Sequence, residues 1–191
     1  VSLGEQAKYG RIWSTPLIPY MKEVEDKYFV FTVEDIMLID KIDTDKVALL
    51  VNEIENGASK AHLDKTLNNR ATPLPSNSQI LGIHPSASYR TSLSPSIWTK
   101  RYFMKYLKPN ITIWDFEKNN LERAKNDGNL IISLNDEKDL YYNCNVFLKG
   151  KPFPRPECSK LYGTSSTEIS PSSMKDIEYL LQVLEDNKEK Y

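Results

Sequence analysis

The chain has 191 residues, 40% of them hydrophobic, and a formal net charge of −1. That length suits one domain with a buried core, and that composition excludes a disordered polypeptide. The near-neutral charge gives no electrostatic case for nucleic acid or an anionic membrane as the main partner, and no apolar run approaches the ~20 residues needed to span a bilayer.

Trp13, Leu17, Tyr20, Met21 and Val24 recur at helical spacing behind Ser14 and Thr15, which predicts a first helix, although Pro19 interrupts a regular start. Tyr28 to Val33 is a run of aromatic and β-branched residues and reads as a strand, ending abruptly in Glu34-Asp35. A second helix is predicted from about Asp43 to Glu55, with Val47, Leu50, Val51 and Ile54 on one face. Asp43 or Thr44 would cap it and Asn56-Gly57 would stop it.

Residues 58–78 are polar, with Pro73 and Pro75, and read as a long excursion. Ile80 to Ile83 reads as a short strand interrupted by Gly82, and Tyr89 to Leu93 as another. Ser94-Pro95 would open a helix carrying Ile97, Trp98, Tyr102, Phe103, Tyr106 and Leu107, closed by Pro109.

Thr112 and Asp115 have capping-box spacing, with Asp in place of Glu. The helix behind them would stop near Gly128. Strands are expected at Leu130 to Leu134 and Tyr141 to Leu148, a loop over 151–169, and a terminal helix from about Pro171. Alternating strands and helices predict an α/β fold with a mixed sheet.

Cys144 and Cys158 are the two cysteines and lack C-x-x-C spacing, so neither a disulfide framework nor a zinc site is indicated. Asn110-Ile111-Thr112 fits a glycosylation acceptor but, with no secretory leader in the sequence, reads as a helix start. Cytoplasmic location is the expectation. His62 and His84, the only histidines, fall on or beside predicted loops with no spaced partner, which disfavours a His triad. Signatures for hydrolase, dinucleotide and P-loop chemistry are missing. Lys100, Arg101 and Lys105 form a small basic cluster next to aromatics, of a kind that contacts phosphates or, more commonly, lies on a solvated helix face.

Two segments carry candidate chemistry. Glu34 and Asp35 are hard oxygen ligands at a strand end, which suits a divalent metal bridging phosphates; the bland alternative is a strand terminated by solvated charge. In Trp114-Asp115-Phe116-Glu117 two acids occupy a helix start, where the dipole favours their ionised forms. Asp115 reads as structural. Glu117 is a general-base candidate, against the plainer alternative of a surface glutamate.

The ordered series Y-F-V-F-T-V-E-D-I-M-L, Y-R-T-S-L-S-P-S-I-W, L-K-P-N-I-T-I-W-D-F-E and Y-Y-N-C-N-V-F-L-K-G resembles a family of largely uncharacterised glycosyltransferase-like proteins of bacteria, phages and marine metagenomes. The likeness covers about Trp13 to Gly150. It implies a GT-A-like mixed sheet flanked by helices, and transfer of a sugar from a nucleotide-diphosphate donor to a glycan or other hydroxyl acceptor, assisted by Mn2+ or Mg2+. On this resemblance Asp35 and Glu34 hold the metal, and Glu117 is the catalytic base giving inversion. Trp98, Trp114 and Ser92 bind substrate.

Ser94 departs from the family, which usually has Gln there. The family's upstream strand–helix–strand portion is largely missing, so an N-terminally truncated single domain is expected, opening at Val1. A non-catalytic carbohydrate-binding or interaction module on the same scaffold is the rival expectation, and a phage structural or assembly protein a third.

Overall fold

A computed structural model describes residues 6–33, 36–38, 41–65, 67–136, 140, 143–145, 147–148 and 151–152. The chain divides into two units, residues 1–32 with 44–140 and residues 33–43 with 141–191.

The first unit is built on a six-stranded mixed sheet of β1 (Tyr28–Phe31), β3 (Lys60–His62), β4 (Ala71–Leu74), β5 (Asn77–Ile83), β6 (Ser96–Thr99) and β7 (Ile131–Leu134), in the order β1-β6-β3-β7-β5-β4. Strand β6 runs antiparallel to both β1 and β3, and β3 is parallel to β7. The carboxyl ends of β1, β3 and β7 therefore share one edge of the sheet with the amino end of β6. Phe31, Ser96 and His62 form a cross-strand row there.

Alternation along the strands sorts side chains onto two faces. One is covered by α2 (Thr44–Glu55), which packs on β3 and β7 through buried Leu50 and Ile54. The other meets α3 (Lys100–Tyr106), which packs on β6, and α4 (Ile113–Lys118), whose Phe116 reaches Trp98; α1 (Ser14–Glu23) packs on α3, and α5 (Leu121–Lys125) follows α4. Over β1 and β6 that face is aromatic. Trp13 sets its ring edge against Phe31, Phe103 and Phe116, with centroids 5.9, 6.1 and 5.4 Å away, and Trp98 packs edge-on to Phe103 at 5.3 Å. Such pairs add roughly 0.5–1.5 kcal/mol each beyond buried area.

Helices α1 and α2 form where the sequence places them, and α4 starts where expected, but the single helix expected to run to near Gly128 is two, α4 and α5, parted at Asn119 and Asn120. The Thr112–Asp115 capping box is present in both directions, and Gly57 takes a positive φ of 112° just behind α2, as a helix-terminating glycine does. Pro19 lies inside α1.

Three expectations are corrected. The excursion 58–78 contains β3, near the middle of the sheet, and β4. Strand β3 is short and carries Lys and His, so it has no apolar run to betray it. The helix expected from Ser94 begins at Lys100, because Ser96–Thr99 is a strand locked between β1 and β3. Thr99 Oγ1 then caps α3 by accepting from the Tyr102 amide at 3.3 Å. Tyr89 to Leu93 is a turn, with Tyr89 at φ 62° and the Ser92 amide donating to the Tyr89 carbonyl.

In the second unit, β2 (Ile36–Leu38) pairs antiparallel with β8 (Asn143–Asn145), and β9 (Phe147–Leu148) with β10 (Lys151–Pro152). Of the strand expected over Tyr141 to Leu148, Asn143–Asn145 and Phe147–Leu148 are strands, and residues 141, 142 and 146 lie outside the described residues. The terminal helix, most of the 151–169 loop, Cys158, Glu34 and Asp35 lie outside the described residues. Among the described residues no helix is long and apolar enough to cross a membrane.

Candidate functional site

Beside the aromatic cluster, the same sheet face turns polar on β3. Lys60 and His62 alternate with Ala61 and so project to one side, opposite Trp98 and Ser96 of β6. All four are buried, none more than 1% exposed. Lys60 Nζ donates to the carbonyls of Ser92 at 2.6 Å and Arg90 at 3.3 Å, and lies 4.3 Å from the Trp98 ring centroid. Burial pushes the Lys60 ammonium down to about 7; the charges of Asp64 and Glu117 oppose that, while Arg90 adds to it. Burial, with the positive charge of Lys60 and Arg90, likewise holds His62 well below the ordinary imidazole value, so its ring is neutral.

The turn and loop that feed β6 are held by α4. Glu117 Oε1 accepts from the Leu93 amide at 2.7 Å, and the Glu117 carbonyl accepts from Thr91 Oγ1 at 3.0 Å. Ser92 Oγ accepts from the Ser94 amide, and Ser96 Oγ donates to the Ser94 carbonyl. The Leu63 amide donates to the Pro95 carbonyl, which joins this loop to the end of β3. Glu117 is thus fixed to the chain segment entering the sheet at the edge where β3 leaves it.

Arg90, 2% exposed, anchors the same turn from below. Its Nε donates to Ala124, one terminal nitrogen to Ile83 and His84, and the other to Asn129, all through carbonyl oxygens. Asp127 lies 3.9 Å from Arg90 and 3.4 Å from Lys105 and accepts from Tyr106 Oη. Burial works to raise Asp127, but the Tyr106 hydroxyl, the Asn129 amide and Lys105 outweigh it, and its carboxyl stays below the usual range.

At the carboxyl edge a small pocket is lined by His62 at the end of β3, by Leu63, Asp64 and Lys65 after it, by Asn68, and by Leu134 and Leu140 at and beyond the end of β7. Asn68 braces it, donating to the Leu134 carbonyl at 3.0 Å and accepting from Ser133 Oγ at 2.6 Å.

The structure brings Glu117 and Ser92 into the loop system around Lys60. Trp98 is 0% exposed, within the aromatic core, whereas Trp114 is 66% exposed on the first turn of α4, with Lys118 Nζ 5.3 Å from its ring centroid. Glu34 and Asp35 lie outside the described residues. Among the described residues no group of three His, Cys, Asp or Glu side chains is placed to hold a metal ion.

Lys60, His62 and Arg90 were not legible as functional candidates. His62 is the last residue of the central β3, beside a loop as expected, and the one signal of its strand setting, alternating polar groups around Ala61, is too short to stand out. No protein-family model, curated protein or solved structure matches the chain.

Proposed function

We propose that the chain is a metal-dependent glycosyltransferase of GT-A type, moving a sugar from a nucleotide-diphosphate donor to a hydroxyl acceptor. The observation that carries the reading is the common edge. In open α/β sheets ligands bind outside the carboxyl ends of strands, and here β1, β3 and β7 end together, beside the loop to which Glu117 is pinned. The Glu34-Asp35 pair follows β1 in sequence.

In this reading the Glu117 carboxylate takes the proton of the acceptor hydroxyl as its oxygen bonds to the anomeric carbon; the bond to the diphosphate breaks, with inversion. Glu117 is suited to that role by its fixed position and its half-buried setting on α4. A divalent cation held by Asp35 and Glu34 would neutralise charge on the leaving diphosphate.

A thermal-shift screen of uridine and guanosine diphosphate sugars, with and without Mn2+, tests the reading. Stabilisation that requires both sugar nucleotide and metal supports it. The absence of any such stabilisation overturns it. Stabilisation by free glycan alone favours the non-catalytic module, for which exposed Trp114 offers a stacking face.

A further inference from the structure

His62 is 1% exposed, yet only one of its ring nitrogens is accounted for. Nδ1 lies 3.3 Å from Ser94 Oγ, and Nε2 has no hydrogen-bond partner among the described residues. Buried polar atoms are rarely left so, because the lost hydration is not recovered. Ser94 belongs to the loop before β6, on one flank of β3. The pocket that His62 lines is completed from the opposite flank, by Leu134, Leu140 and Asn68.

We propose that this pocket is a subsite for a hydroxyl group of a polyol, with His62 Nε2 as its hydrogen-bond partner. Three features select that chemistry. The ring is neutral, and Ser94 Oγ can serve Nδ1 as donor or acceptor, so Nε2 takes whichever role remains. A hydroxyl, which donates and accepts, satisfies either tautomer. The pocket's charged lining is one carboxylate, Asp64, and one ammonium, Lys65, which balance and favour a neutral polar group over an anion. Leu134 and Leu140 form its apolar side, and the cavity has room for one small polar group, so a single hydroxyl enters while the rest of the polyol stays outside. The inference rests on the sugar-transfer reading only for the choice of a sugar as the polyol.

The test uses the full chain with 15N-labelled histidine. The sequence has two histidines, so His62 and His84 ring signals are separable with a single His84→Gln assignment variant. D-glucose, D-galactose, D-mannose and glycerol are titrated in turn, with inorganic phosphate as the anionic comparison. The expected result is a saturable shift of His62 Nε2 with at least one polyol, His84 unmoved. His62→Phe should weaken that polyol at least tenfold, and His62→Gln, which keeps a hydrogen-bonding group, should weaken it less.

No saturable shift at His62 with any polyol overturns the proposal, as does an equal shift with phosphate, or His62→Phe binding as well as wild type. The wild-type titration decides the matter even where His62→Phe does not fold. Metal-dependent stabilisation by a nucleotide sugar, measured on the same protein, is a separate readout. Its persistence without a His62 shift removes the subsite alone, and its loss with the shift intact removes the transferase reading alone.

Discussion

Lys60 stands directly across the β3–β6 ladder from Trp98, its Nζ 4.3 Å from the indole centroid and donating to two loop carbonyls. This buried cation ties the central strand to the 90–92 turn. It also makes stability depend on pH. The folded-state pKa, about 7, lies below the ordinary 10.5, so between those values the unfolded chain binds more protons than the native one. Unfolding free energy therefore rises with pH from about 7 to about 10.5, by an amount on the order of a few kcal/mol, and is flat with respect to this group below that window. Lys60→Met should abolish that rise, measured by urea denaturation across the window.

Glu117 separates a structural from a catalytic role. Its Oε1 accepts from the Leu93 amide, and its charge is one of two that raise Lys60. Glu117→Gln keeps an acceptor oxygen, so stability near neutral pH should change by less than about 1 kcal/mol, whereas Glu117→Ala should cost about 1–3 kcal/mol by leaving that amide unpaired. The Gln variant should also move the onset of the Lys60 pH dependence downward. In a transfer assay with a responding nucleotide sugar, Glu117→Gln should lose at least about 100-fold in kcat. Full activity would remove Glu117 from the proton transfer.

How much of this was legible depends on how local each signal is. The Thr112–Asp115 box and helix α2 with its Gly57 stop are written in a few adjacent residues, and both stand as read. Ile97 and Trp98 fit a helix as well as a strand in sequence. Pairing with β1 and β3, which involves residues nearly 70 and 40 positions away, decides for the strand. Strand β3 carries its identity almost wholly in long-range contacts. Lys60 and His62 look like loop residues until Arg90, Ser92, Ser94 and Glu117 are placed around them. For that reason Glu117 could be singled out from the sequence and Ser92 from the resemblance, but not the buried Lys60 that they neighbour.

Arg90 closes the turn by giving hydrogen bonds to four carbonyls, with Asp127 3.9 Å from its guanidinium. Arg90→Met would strand those carbonyls and take a cation from the nearly buried Asp127, at a cost of roughly 3–5 kcal/mol. Arg90→Lys should recover only part of that loss, because one ammonium cannot reproduce the planar fork. Chemical denaturation midpoints of the two variants give the comparison. Equal midpoints for Arg90→Lys and wild type would show that the fork geometry is unimportant.

Trp98 and Trp114, both substrate-binding candidates on the resemblance, sit in opposite environments, 0% and 66% exposed. Trp98→Ala removes a core ring packed on Tyr102, Phe103 and Phe116 and should cost about 3–5 kcal/mol. Loss of ligand binding in that variant would then report misfolding. Trp114→Ala removes an exposed ring and should leave stability within about 0.5 kcal/mol. Any fall in sugar or glycan affinity in Trp114→Ala, at unchanged melting temperature, would therefore come from a lost stacking face. Calorimetric titration of wild type and Trp114→Ala with the same glycan reads it directly, and equal affinities would take Trp114 out of substrate binding.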